Sequence, residues 1–572
     1  MDIVYIYAII ASSIFVCLSL KHCLSFLAQW KSLLSVIYHR HLVLPCVIHR
    51  HRFCGPWTRA GVLLSLLCAF LNIFSIFFGI GSWNESGSRA GKLSLINLIF
   101  PMSAIHLSYS ADILGIALST CQKIHRITGW TALALMSFHI SMTVQARGFT
   151  FSLRELPNLF AILAAISLLI MIITSNRWFR QWSYEIFLRG HQFLAGFCVY
   201  STWQHLKSSR SRLYLLIALG LLGLNLLLQL TTLLYRNGLF ARRGSPRAIV
   251  TFSTNKAENS GLLVNAIHIR ISLPRPIRVE PGQYINIWMP SVSLWSWTQS
   301  HPFTVVSWSK DAQNSIELLV QPCSGLTADL CRYAPDAAGS SLSFLALFTG
   351  PHGLSEDVGR YETILVLASG SGIAAVIPYL KKTIYGYNTC TSQARRLHLV
   401  WQVESIDKMT PALAMLNNLL KDDIMDDGYI LHISIYVRYG LEQNIFAVGR
   451  HKRVRIYREV PNYRAIISLE TSGDLIKRLP NTCDQRGDTL VMISATDSLR
   501  DHVRDTIREN FHKGVRISEQ EYQPIMESGL DQCSKTRIKS DSTNDTRHSE
   551  WDELTLVGSN EKASRMQKKS TY

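Results

Sequence analysis

The chain has 572 residues, a formal net charge of +18, 48% hydrophobic residues and 12 cysteines, a length that allows more than one domain. The cysteines form no C-x-x-C pair and no regular framework, which argues against a zinc module or a disulfide scaffold. Lys and Arg are scattered through loops and tail rather than gathered in one aromatic-laced patch, so the basic balance does not point to nucleic acid.

Long apolar runs fill the first 235 residues and the remainder alternates like a soluble protein, so a membrane domain is expected to precede a soluble one. Residues 2–20 are apolar over a full span and lack a basic n-region, which favours a retained anchor over a cleaved signal peptide. Residues 21–59 are basic (Lys21, Lys31, Arg40, Arg50, Arg52 and Arg59), with His39, His41, His49 and His51 at no metal-ligand spacing. A solvated cytosolic loop is expected there. Further spans are expected near 60–80, 93–118, 122–145, 156–174, 184–206 and 212–235. The positive-inside rule puts 21–59 and the soluble half in the cytosol and Asn84-Glu85-Ser86, a candidate N-glycosylation acceptor, outside. Lys207, Arg210 and Arg212 would also lie outside, against the rule, as an exposed loop.

Two of these spans carry a pair of histidines each, His125 with His139 and His191 with His205. The spacing is 14 in both pairs. Fourteen helical steps of ~100° fall ~40° short of four turns, so each pair shares a helix face, ~21 Å apart along the axis. Two such helices side by side would offer one His–His pair near each surface of a ~30 Å hydrocarbon slab. That geometry can hold two haems by paired axial imidazoles: an inner one on His125 and His191, an outer one on His139 and His205. Arg126, Arg177, Arg180 and Arg189 lie at the inner end, where a guanidinium can pair with a propionate.

After a basic linker, VNAIHIRISL, PGQYINIWMP, HPFTVVSW and SIELLVQP read as strands of a small antiparallel barrel. YETILVLASGSGIAAVIPYLKKTI then reads as a buried strand, a glycine turn and a helix, an arrangement that brings backbone amides to a pyrophosphate. RRLHLVWQV, YILHISIYV and DTLVMISA are the expected neighbouring strands. Residues 528–572 are polar and poor in apolar residues, and a disordered tail is expected.

From the paired histidines through HPFT to the glycine turn, the chain resembles the ferric reductases, relatives of the NADPH oxidases, over roughly residues 90–525. The resemblance implies a multi-pass α-helical membrane domain with a bis-histidine haem core, followed by a cytosolic ferredoxin-reductase-like module. Its segments would be 1–92 (anchor spans and basic loop), 93–235 (haem-binding transmembrane domain), 245–355 (FAD-binding barrel), 360–525 (NAD(P)-binding α/β domain) and the tail 528–572. His301, Pro302, Phe303 and Thr304 look like the flavin strand, the aromatic ring against the flavin and the hydroxyl bonding its ring or ribityl. Gly325, Leu326 and Thr327 are similar to the turn at the FAD pyrophosphate. Gly350-Pro351-His352-Gly353 resembles the loop between the domains, and Gly370, Ser371, Gly372 and Ile373 the dinucleotide phosphate turn.

Two departures stand out. Ser494-Ala495-Thr496 occupies the place of the family's Cys-Gly-Pro near the nicotinamide, ahead of a family-like Asp501-x-Val503-Arg504. Glu404 follows Trp401-Gln402-Val403 where the family tends to carry an arginine suited to a 2′-phosphate, which leaves NADPH against NADH open.

By this resemblance, electrons pass from NADPH or NADH through FAD and two b-type haems to an extracytosolic ferric or cupric chelate, in support of iron uptake. The plasma membrane is the expected location, and an iron-uptake oxidase or permease the expected partner. A superoxide-producing NADPH oxidase shares the same chain, although no EF-hand-like D-x-D-x-D-G run is present. A non-catalytic haem-binding membrane protein is the reading from outside the enzymes.

Overall fold

The computed structural model describes residues 3–20, 37–50, 55–104, 106–147, 154–176, 178–179, 184–238, 244–257, 261–293, 296, 300–323, 325–337, 340–424, 429–439, 445–448, 453–472, 487–510 and 514–523. The polar tail, Lys21, Lys31, His51, Arg52, Arg177 and Arg180 lie outside the described residues.

The first half folds as helices α1 (Ile3–Leu20), α2 (Arg59–Phe77), α3 (Trp83–Ser103), α4 (Leu107–Leu114), α5 (Leu118–Arg147), α6 (Leu156–Thr174), α7 (Tyr184–His205) and α8 (Ser209–Arg236). Local chemistry sets their starts. The Thr58 and Ser82 hydroxyls cap α2 and α3 by accepting from Gly61 N and Glu85 N, and Pro157 opens α6. Helices α2, α5, α6 and α8 are long and apolar enough to cross a membrane, and α3 with α4 makes a fifth if that bent pair is one span. Large side chains such as Leu66, Phe70, Phe193 and Leu227 point outward, the reverse of a soluble protein and the pattern of a lipid-facing bundle. Inside the bundle, Asn97 Nδ2 donates to Asn72 Oδ1 at 2.9 Å and Asn72 Nδ2 to the Tyr7 hydroxyl at 3.0 Å, tying α3, α2 and α1 together.

Two expected spans are corrected. Among the described residues α7, expected to cross at 184–206, is not apolar enough to count with the other spans. Residues 93–118 are not a continuous crossing: α3 begins earlier, at Trp83, ends at Ser103, and α4 leaves at 102° to it. Pro101 removes a donor from the last turn of α3, and Gly115, at φ 61°, ends α4. Asn84 is exposed in the first turn of α3, but Ser86 is fully buried and its hydroxyl donates to Trp83 O at 2.7 Å. The acceptor triplet is therefore helical, with its serine sealed.

The second half opens with β1 (Arg247–Ala257), β2 (Gly261–Ile277), β3 (Tyr284–Trp288), β4 (His301–Thr304) and β5 (Gln313–Val320). A short helix α9 (Leu326–Cys331), β6 (Leu342–Leu345) and β7 (Leu347–His352) complete an all-antiparallel unit, with sheets ordered β5-β2-β1-β6 and β4-β3-β7. Alternation in β2 turns Ile267, Ile269 and Ile271 inward, where they meet Ile285, Ile287 and Phe348.

Next come β8 (Thr363–Ser369), α10 (Ile373–Asn388), β9 (Arg396–Ser405), α11 (Ile406–Asp422), β10 (Leu431–Tyr439), β11 (Ile445–Val448), β12 (Val454–Tyr457), α12 (Tyr463–Ser472), β13 (Thr489–Ser494), α13 (Asp497–Asn510) and β14 (Val515–Glu519). The sheet order is β11-β12-β10-β9-β8-β13-β14, parallel except for the β11–β12 pair. Ile364, Val366 and Ala368 of β8 face one core and Leu365 and Leu367 the other, which explains its unbroken apolar run. The order reverses between β8 and β13, so the ligand crevice of such a sheet lies at their carboxyl ends.

A buried polar group fastens α12 to this sheet. Glu470, 1% exposed, accepts a short bond from Arg396 Nη2 of β9, and its other oxygen lies 2.7 Å from His398 Nδ1. Burial alone would raise the carboxyl pKa, but the His398 bond and charge and the Arg396 charge hold it below the usual range. Glu470→Ala is expected to cost ~3–5 kcal/mol, because it strands a buried guanidinium. Denaturant unfolding of the full chain checks this, and a loss under 1 kcal/mol would show the cluster to be dispensable.

The basic loop is also corrected. Among its described residues, His41 and His49 are exposed as expected, but Leu44 is 3% exposed and lies in the same core cluster as Leu367, Tyr463, Val503 and Ile507. The segment is docked on the nucleotide domain rather than solvated, because burying Leu44 removes a whole apolar side chain from water.

Candidate functional site

The four histidines fall where the helical spacing puts them, two on α5 and two on α7. The inner rings, His125 and His191, have centroids 6.3 Å apart. Two imidazole–metal bonds of ~2 Å with ~1 Å from nitrogen to ring centre on either side span about that distance. Their surroundings also fix which nitrogen is free. His139 Nδ1 lies 2.8 Å from Gly87 O and His205 Nδ1 3.0 Å from Pro157 O. A carbonyl only accepts, so Nδ1 carries the proton in both rings and Nε2 keeps its lone pair for a metal. Ser175 gives its own proton to Met171 O at 2.6 Å and stands 3.5 Å from His191 Nδ1, which favours the same tautomer. His125 Nδ1 is buried with no hydrogen bond. Gly91 permits this packing on α3, because a Cβ there would lie 3.0 Å from His139 Nδ1.

The barrel meets the inner end of this bundle through two contacts the sequence reading missed. Asp112 of α4 places Oδ2 2.6 Å from His352 Nδ1 and accepts from Gly353 N at 3.0 Å. Asn237, fully buried just past α8, donates to Phe348 O at 2.8 Å and accepts from Phe348 N at 3.0 Å, as a neighbouring strand would. Asp112 had a signal: it is the single acid between Glu85 and Glu155.

On the barrel, β4 pairs with β3 so that Phe303 stands opposite Ile285. Phe303 thus turns into the barrel core, 1% exposed, rather than onto a face where a flavin ring could lie against it, while His301 and Pro302 remain half-buried. The Thr304 hydroxyl accepts from Gln523 N at 2.8 Å, and Thr304 N donates to Gln523 O at 3.2 Å. Gly325 takes φ 61° and ψ −133°, a region open to glycine, and the Thr327 hydroxyl closes the turn by accepting from Cys323 N at 2.9 Å. Leu326 is buried in the barrel core.

At the sheet crevice, Gly370-Ser371-Gly372 is one helical turn leading into Ile373 of α10. A Cβ on Gly372 would lie 2.2 Å from Ser494 O, so the glycine turn after β8 packs directly against the end of β13. Trp401 Nε1 donates to Gly370 O at 2.9 Å, and Thr496 N to Ser369 Oγ at 2.9 Å. The Ser494 hydroxyl is buried without a hydrogen-bond partner, directly beside Gly372. Glu404, near the end of β9, is exposed and forms a short ion pair with Lys408 in the first turn of α11, so its charge is already partnered. The two domains are joined across this region: Lys382 Nζ of α10 bonds Glu280 Oε2 at 2.8 Å. Tyr379 of α10, its hydroxyl pushed up to about 12 by burial, accepts from Glu356 N of the connecting loop at 3.1 Å and, within the nucleotide domain, donates to Gln520 Oε1 at 3.1 Å.

A helical membrane domain followed by an antiparallel barrel and a mostly parallel α/β sheet is the class these elements define. Residues 90–202 match the family described as ferric reductase like transmembrane component, and residues 251–356 match an FAD-binding domain family. Over these stretches the chain is similar to the ferric reductases and the NADPH oxidases. It is 25% identical over 270 residues to "Ferric reductase transmembrane component 4" of Saccharomyces cerevisiae, covering 46% of this chain and 33% of that protein. With "Probable metalloreductase AIM14" of Meyerozyma guilliermondii it shares 22% identity over 468 residues, 77% of this chain and 88% of the relative. With "NADPH oxidase 1" of Mus musculus the identity is 29% over 149 residues, 26% of this chain and 23% of that one. The match spans about a third of the yeast component 4 relative's length.

Proposed function

We propose that the chain is a transmembrane metalloreductase that moves electrons from cytosolic NADPH or NADH to a ferric or cupric chelate on the other side of the membrane. The observation that carries this reading is the set of four histidines. The centroids of their inner rings are 6.3 Å apart, and both outer rings are held by backbone carbonyls in the tautomer that leaves Nε2 unprotonated. His125 with His191 and His139 with His205 would hold two haems. FAD would lie at the barrel on His301, Pro302, Thr304 and Gly325–Thr327, and the dinucleotide at Gly370–Ile373 and Ser494. Bound there, these groups would supply the step from hydride donation to single-electron transfer across the bilayer. The chain's part is alignment: His Nδ1–H bonds orient the axial rings, Gly372 admits a close backbone approach, and Asp112 sets the barrel against the inner haem.

The topology supports the same direction. The basic segment 37–50 is docked on the nucleotide domain, so both lie on one side, and the positive-inside rule makes that side the cytosol. A plasma-membrane location and an iron-uptake partner belong to this proposal.

Asp112→Ala is expected to separate the two halves of the reaction. Flavin reduction by NADPH should stay within ~2-fold of wild type, while haem reduction slows measurably, because the barrel loses a hydrogen-bonded seat on the bundle. Stopped-flow absorbance at flavin and haem bands reads both, and an unchanged haem rate would remove Asp112 from any coupling role.

The function itself is tested with purified, FAD- and haem-loaded protein, NADPH or NADH, and a ferric chelate under strict exclusion of oxygen. Reduction without oxygen supports the metalloreductase. Reduction seen only in air and lost with a superoxide scavenger would make the protein an oxidase, and none under either condition would leave a non-catalytic haem protein.

A further inference from the structure

The segment that departs from the membrane domain after α1 returns to touch the dinucleotide domain at one particular helix. Leu44 anchors it in the core beneath α13. Six residues on, Arg50 spans two carboxylates on that helix, with Nη1 2.7 Å from Asp497 Oδ2 and Nε 2.8 Å from Asp501 Oδ2. Asp497 is the first residue of α13, three positions after Ser494, and the intervening Thr496 bonds Ser369 beside Gly370. Arg50 therefore holds the turn that forms one wall of the crevice. Its carboxylates are part of a series, Asp497, Asp501 and Asp505, spaced every four residues on one face of the helix. A nicotinamide dinucleotide brings at least two negative charges to the far side of that turn, so acids that lost Arg50 and kept only the longer pairs with Arg500 and Arg504, at 3.8 and 4.0 Å, would repel it more strongly.

We propose that Arg50 is a positioning residue for the dinucleotide site: it fixes the Ser494–Asp497 turn and neutralises the acidic start of α13, thereby lowering the KM for NAD(P)H. The inference rests on the reading of Gly370–Gly372 and Ser494 as the dinucleotide site. Because Arg50, Asp497 and Asp501 are each a quarter to a third exposed, the bridge adds little to overall stability, and its effect belongs to binding. Its charge acts through partly screened solvent, so the effect must also depend on salt.

The test uses the full-length, FAD-loaded protein with ferricyanide as acceptor, titrating NADPH at low and high salt. Arg50→Gln is expected to raise KM about 5-fold at low salt, with kcat within about 2-fold and a smaller KM effect at high salt. Arg50→Lys should recover most of the loss. Adding Asp497→Asn and Asp501→Asn to Arg50→Gln should also bring KM back, because the repulsion goes with the charges. A KM for Arg50→Gln within 2-fold of wild type at low salt, or a fall in kcat alone with no salt dependence, would overturn the proposal. A wild-type protein that reduces ferricyanide with neither NADPH nor NADH would overturn the dinucleotide reading and this inference with it. Failure confined to the variants overturns only the role of Arg50.

Discussion

Alanine at His139 or His205 is expected to halve the haem bound by the purified protein and to lower transmembrane chelate reduction by at least ~100-fold. Flavin-level reduction of ferricyanide should stay within ~2-fold of wild type. The Nδ1 protons of both rings are committed to backbone carbonyls, of Gly87 on α3 and Pro157 on α6, so each ring can offer only Nε2 to a metal. Alanine would leave the carbonyl without its donor, and only the partner histidine would remain to hold a haem there. Haem absorbance after chemical reduction and the chelate assay read the two effects separately. Two haems retained, with full activity, would remove both residues from the ligand set.

A comparable loss is expected at the other end of the chain from Gly372→Val. The added Cβ would stand 2.2 Å from Ser494 O, and neither atom belongs to a flexible side chain, so β8 and β13 must separate or the turn must tilt. Displacement of ~1 Å at a hydride-transfer site costs ~10²-fold. NADPH-driven flavin reduction should fall by at least that factor, while haem content and reduction by dithionite are untouched. Gly370→Ala makes the internal comparison: Gly370 has φ +51° but nothing within 4 Å of its missing Cβ, so only backbone strain of ~1–2 kcal/mol applies. Equal effects from the two substitutions would show that the close approach to Ser494 is not what matters.

Periodic features were legible in the sequence. The 14-residue histidine spacing survives because a helix converts spacing directly into a shared face, and the apolar run Ile364–Ala368 forms a strand buried on both sides, with polar residues only at its ends. Strand β1 was missed because Thr251, Ser253, Thr254 and Asn255 hide its alternation; pairing with β2 and β6 on either side overrides weak local preference. Contacts of long sequence separation left no pattern at all. Arg50 meets Asp497 447 residues away and His352 meets Asp112 240 residues away, and neither pair obeys a local rule. Phe303 shows a different limit: resemblance supplied a role for its ring, but the register of β4 on β3 decides which way the ring faces.

The side chain of Asn237 has a bearing on how the soluble half behaves when cut free. β7 is the outer strand of its three-stranded sheet, and Asn237 occupies the outward N–H and C=O of Phe348. A fragment beginning at the barrel would lose that amide and expose a short sticky margin able to recruit the same strand from another copy. Self-association of such a fragment would then report a missing helix end, not a misfolded barrel.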